Sequence, residues 1–253
     1  FMVFTEGMLA WPPDPEAWSI RWYKNMIGDC SAEVVSSTVP CSTKWMVGTV
    51  NSFYIGIIAT VIATALGTLA ALGLSRPHMP YKGLIMAILI SPMIVPLIIT
   101  AAGMFFFYAR INLVYTFTGV ILAHVALATP FVVITVTATL VGFDMNMVKA
   151  AQSLGAKPMR TFFKVIMPLI LPGIISGALF AFITSFDEVV IVMFMASIDQ
   201  LTIPKQMWAG IRQEISPVIL CMATCLVLLS IFLLTTVELL RRRSEKLRGI
   251  KAR

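Results

Sequence analysis

Residues 144–188 read DMNMVKAAQSLGAKPMRTFFKVIMPLILPGIISGALFAFITSFDE, and the reading of this stretch decides the fold. It joins a polar segment to an apolar run that opens with Pro168 and Pro172 and closes on Asp187 and Glu188. The polar part predicts a short helix stopped at Gly155, because glycine accepts the left-handed conformation that ends helices. Asp144 or Asn146 can cap its start with a side-chain oxygen on free backbone N–H groups. Ala150 and Ala151 leave the helix a smooth face that another protein can approach closely. From Val165 to Phe186 no residue is charged, and about 20 apolar residues suffice to cross a bilayer as a helix. Gly173, Gly177 and Ala181 recur every four residues there, the spacing that lets backbones pack closely in lipid. Such a face serves packing within the chain or against another subunit. The two prolines predict a bent or late-starting span.

Composition sets the class. The 253-residue chain is 58% hydrophobic and 12% charged, with a mean hydropathy of +0.91. Soluble domains carry roughly 25% charged residues, so this chain belongs in a membrane. A net charge of +7 invites a nucleic-acid reading. The basic residues, however, form no stripe with interleaved aromatics, and many crowd the tail RRRSEKLRGIKAR.

Uncharged runs cover Val47–Ser75, Gly83–Ala109, Leu113–Phe143, Val165–Phe186 and Pro217–Val237. They predict an all-α polytopic membrane protein with five complete spans. The opening FMVFTEGMLAWPP begins with Phe1 rather than Met and reads as the outer end of a truncated first span. Alternating the spans places all but six of the 19 Lys and Arg residues on one side. The positive-inside rule makes that side cytoplasmic. The loop 144–164 and the basic tail 238–253 are then cytoplasmic, and the polar segment 11–45 is outside. The segment's Trp11, Trp18, Trp22, Tyr23 and Trp45 predict a position along the membrane surface.

Several residues are candidates for chemistry. Cys30 and Cys41, in the outer segment, can form a disulfide in an oxidising compartment or remain two free thiols. Cys221 and Cys225, one helical turn apart in an apolar run, read as packing residues. Asp187 and Glu188 stand near the outer boundary, but the apolar VVIVMFM follows them. They are either solvated acids at a helix end or an acidic pair facing a cavity, where they would attract a cationic solute. His124 stands alone in a span and reads as a hydrogen-bonded packing residue; neither it nor His78 has neighbours at metal-ligand spacing. No GxxxxGK[ST] phosphate loop occurs, so these residues do not cradle ATP phosphates in that way.

The 144–168 pattern resembles the signature of binding-protein-dependent ABC import permeases: Glu-Ala-Ala, three residues, Gly, nine residues, then Ile-x-Leu-Pro. The matching positions are Lys149, Ala150, Ala151, Gly155, Val165, Met167 and Pro168, with Lys149 where the signature has an acid. SIRWYKNM, SFDEVVIVMF, LTIPKQMW and IRQEISP resemble the permease subunits of spermidine/putrescine importers. The resemblance implies a type I importer fold of six helices in the bacterial inner membrane. The implied partners are a second homologous permease, two ATPase subunits that bind ATP and Mg, and a periplasmic solute-binding protein. The solute would be a small cation such as a polyamine, although relatives with similar motifs carry opines, iron or thiamine. The matching loop residues would form a coupling helix seated on the ATPase. A rival reading, an ion-coupled secondary transporter, lacks a convincing inverted repeat. A membrane-embedded hydrolase lacks a catalytic set.

Overall fold

A computed structural model describes residues 20–28, 43–76, 78–141, 146–213 and 216–247. All regular structure among them is helical. In chain order the helices are α1 (Arg21–Met26), α2 (Lys44–Leu74), α3 (Lys82–Ile94), α4 (Leu97–Arg110), α5 (Phe117–Val141) and α6 (Asn146–Ser153). Then follow α7 (Pro158–Thr161), a π turn (Phe162–Ile166), α8 (Met167–Phe186), α9 (Val190–Met195), α10 (Ile203–Gln213) and α11 (Pro217–Leu247).

The core is a three-helix stack of α2, α5 and α8. Along α2 the buried positions Gly48, Ser52, Gly56, Ala59, Ala63, Gly67 and Ala71 recur at helical spacing. This small-residue face lets α5 and α8 approach the backbone. A Cβ added at Gly67 would lie 2.6 Å from Val132 Cβ, and one at Gly177 would lie 2.5 Å from Thr135 Oγ1 and 3.0 Å from Val132 Cα. Gly173 abuts Thr139. The four-residue repeat in α8 is therefore an intrachain packing face, which decides between the two readings left open by the sequence.

Four helical stretches are long and apolar enough to cross a membrane: Lys44–Leu74, Phe117–Val141, Pro158–Phe186 and Pro217–Thr236. The run 83–109 is two helices, α3 and α4, bent by 102°. Pro96 is the cause: it forces Val95 into an extended conformation (ψ 136°) and has no N–H to offer the preceding turn. Counting this pair as one span gives five.

Two further details differ from expectation. The fourth span does not start late at its prolines; it is helical from Pro158. In a regular helix the Pro168 ring would clash with the Lys164 carbonyl. Here the π turn widens the preceding turn, with Met167 N–H donating to Phe162 O. The last helix does not end at Val237 but continues to Leu247 through Arg241–Arg243, since nothing in that stretch breaks a helix and basic residues suit a helix C-terminus.

In a second core cluster, Trp22 and Trp45 are buried with Ile203, Val218, Ile219, Cys221 and Met222. These two tryptophans pack into protein, because α1 lies against α11. Asp144, Cys30, Cys41, Trp11 and Trp18 lie outside the described residues, and with them the Asp144 cap and the disulfide.

Gly177→Val should overpack the α5–α8 contact and destabilise the protein by about 1–3 kcal/mol. At Gly73 a Cβ meets nothing within 4 Å, so Gly73→Val should stay within about 0.5 kcal/mol of the parent. Thermal unfolding of both purified variants checks this; equal midpoints would contradict the packing.

Candidate coupling and translocation site

The loop residues form a compact unit at one end of the fourth span. Helix α6 begins at Asn146 and ends in a Schellman arrangement around Gly155, whose φ is +79°. Gly155 N–H donates to Gln152 O at 2.9 Å, and Ala156 N–H donates to Ala151 O at 3.0 Å. The predicted glycine stop is the one observed. Lys149 and Ala150 are exposed and Ala151 is half-buried. Helix α6 packs on α7 and on the π turn, which holds Val165. Met167 packs against the core, and Pro168 is exposed on the span's first turn. From Pro158 to Phe186 the helix is continuous. Helix α6 thus lies at one end of this helical stretch and Asp187 at the other.

At that far end, about 33 Å from Val165 at 1.5 Å per residue, the acidic pair is split. Asp187 is exposed. Glu188 is buried, and its Oε1 accepts the Ile191 N–H at 2.9 Å. The two side chains meet different surroundings, because the chain breaks helix after Phe186 and Glu188 turns back to cap α9. Lys205 serves the other end of α9, its Nζ donating to Ala196 O at 2.8 Å and to Val192 O at 3.5 Å. Burial lowers the Lys205 pKa from its ordinary value. An acid at the start and a base at the end complement the helix dipole. That lets a six-residue apolar helix, with Ile191, Val192 and Met195 fully buried, sit in the core.

The loop after α9 is pinned to α2. Asn51 Nδ2 donates to Asp199 O at 2.7 Å and to Leu201 O at 2.9 Å, while Ile203 N–H donates to Ser52 Oγ at 2.9 Å. Gln200 Oε1 accepts both the N–H and the hydroxyl of Ser197. His124 Nδ1 and Ser185 Oγ share a buried hydrogen bond of 2.7 Å, which ties α5 to α8 and fits the packing role read from the sequence. Cys221 and Cys225 are free thiols.

Asn51, Ser52, Ser185 and Lys205 were not singled out by sequence reasoning. The available signal was polarity: Asn51 and Ser52 interrupt an otherwise apolar run, and a polar side chain inside a span needs a partner.

Comparison with known proteins places this geometry in a family. The family described as binding-protein-dependent transport system inner membrane component matches residues 43–246. The chain is 30% identical over 196 residues to the spermidine/putrescine transport system permease protein PotC of Haemophilus influenzae, covering 78% of this chain and 76% of that one. It is 28% identical over 196 residues to PotC of Escherichia coli K12, covering 78% and 74%. It is 29% identical over 215 residues to the putrescine transport system permease protein PotI of the same strain, covering 82% and 72%. Among solved structures, an amino acid ABC transporter superposes with a TM-score of 0.60 at 18% identity, over 79% of this chain and 94% of that one. The MetNI methionine ABC transporter in inward-facing conformations gives 0.58 at 19%, over 86% and 100%. At these identities the two structures establish a shared fold.

Glu188→Gln keeps an oxygen for the Ile191 N–H, so transport and stability should remain within about twofold and 0.5 kcal/mol of the parent. Glu188→Ala removes the acceptor and should cost about 1 kcal/mol. Uptake and thermal unfolding measured together check this. A loss of cation uptake in Glu188→Gln as severe as in Glu188→Ala would assign Glu188 to cargo instead.

Proposed function

The chain belongs to the family of binding-protein-dependent transport system inner membrane components, as the permease subunit of an ABC importer, and on that premise we propose that its cargo is spermidine, putrescine or a related small organic cation. The observation that carries this reading is the similarity, over 78% of the chain, to permeases named for spermidine and putrescine transport.

In the proposed assembly this subunit pairs with a second, homologous permease above two ATPase subunits, and a periplasmic binding protein delivers the solute from outside. Helix α6, with Lys149, Ala150, Ala151 and Gly155, seats in a groove of the ATPase. Val165, Met167 and Pro168 begin the rod that carries its movement to the outer end. ATP and Mg are held by the ATPase, which supplies the nucleotide chemistry. Nucleotide binding draws the coupling helices together and opens the path outward; hydrolysis resets it inward. The positive-inside rule puts the 144–164 loop and the C-terminus in the cytoplasm and the 11–45 segment outside.

Asp187 is the acid that remains available to a cation, since Glu188 is engaged in capping α9. The test is uptake by vesicles holding this permease and its neighbouring subunits. Labelled spermidine and putrescine are offered beside a neutral amino acid and a sugar, with and without ATP. ATP-dependent polyamine uptake is expected, reduced selectively in Asp187→Asn. ATP-dependent uptake of only a neutral solute would overturn the cargo assignment.

A further inference from the structure

We infer that the docking surface of this permease takes an ATPase whose groove has an acidic rim around an apolar floor, with Lys149 selecting for that charge. The inference rests on the proposed coupling role of α6 and specifies the partner it fits.

Between residues 146 and 186 the chain has no Asp or Glu. Lys149, Lys157, Arg160 and Lys164 fall within the first half of that interval, and all four are exposed. They lie on α6, the connector, α7 and the π turn, which pack together, so the cations belong to one protrusion. Among them stand large apolar side chains: Leu154 is 89% exposed, Met159 71% and Met147 49%. Apolar side chains presented this openly mark an interaction surface.

The two features constrain the partner together. Burying Leu154 and Met159 in a groove brings the neighbouring cations to its edge, where each must find a counter-charge or remain in water. A groove edged with Lys or Arg would set like charges side by side and be rejected. A groove edged with carboxylates would be steered in and held. Lys149 matters most because it stands on the docking helix itself, where the family signature carries an acid.

The test uses the solubilised complex of tagged permease and the ATPase encoded beside it. ATPase retained on the permease is measured at low and high salt, with uptake measured in parallel. Lys149→Met should reduce retention about threefold and Lys149→Glu about tenfold or more, and wild-type retention should fall as salt rises. Retention and uptake at wild-type level in Lys149→Glu would overturn the inference. So would a loss seen only in phosphatidylglycerol nanodiscs and absent from phosphatidylcholine nanodiscs, since the charge would then serve the lipid. Ala151→Trp separates the two levels of the argument. If it abolishes retention while Lys149→Glu does not, the coupling helix stands and the charge selection falls. If Ala151→Trp also leaves retention intact, the coupling reading falls with it.

Discussion

The contact on which the structure depends is the approach of α2, α5 and α8 through small residues. In lipid there is no hydrophobic drive to bring apolar helices together, so association depends on close packing and on hydrogen bonds. Gly67 against Val132, Gly177 against Thr135 and Gly173 against Thr139 supply the packing. The His124–Ser185 hydrogen bond adds a directional tie between α5 and α8. With these backbones in contact, α8 is held against α2 and α5. Under the proposed coupling role, a helix held in this way would carry movement at α6 to its far end.

The Asp187 end of the span is built differently. The chain leaves α8 at Phe186, folds a six-residue helix back into the core and returns along a loop fastened to α2. A helix this short has little intrinsic stability, because nucleation costs more than a few backbone bonds return. Glu188 and Lys205 complement its two ends, and Ile191, Val192 and Met195 bury its apolar side. The polar side chains here hold backbone, which leaves Asp187 as the exposed member of the pair.

Much of this was legible in the sequence because the governing patterns are local. Uncharged runs of span length predict α2, α5, α8 and α11, and Gly155 predicts the end of α6 at the residue where it occurs. Sequence was less informative where two elements meet. Pro168 announces a disturbance in the helix, but that it takes the form of a π turn over Phe162–Ile166 is not written in the local pattern. Pro92 and Pro96 mark a break without fixing its 102° angle. Glu188 and Asp187 are neighbours in sequence, yet one is buried and one exposed, because a helix break between them and the next element sends their side chains to different surroundings. The capping role of Lys205 depends on carbonyls nine and thirteen residues away, which no local pattern reveals.

The central claim is that α6 and the helix from Pro158 to Phe186 act as one mechanical unit. The most direct measurement is ATP hydrolysis by the reconstituted complex, with and without solute-loaded binding protein, in wild type and Gly155→Val. A β-branched residue resists the φ of +79° at this position, so α6 would lose its stop and its seat relative to the span. The account predicts that loaded binding protein stimulates hydrolysis in the wild type and that this stimulation is lost in the variant, with the subunits still assembled. Stimulation of equal size in both would contradict it.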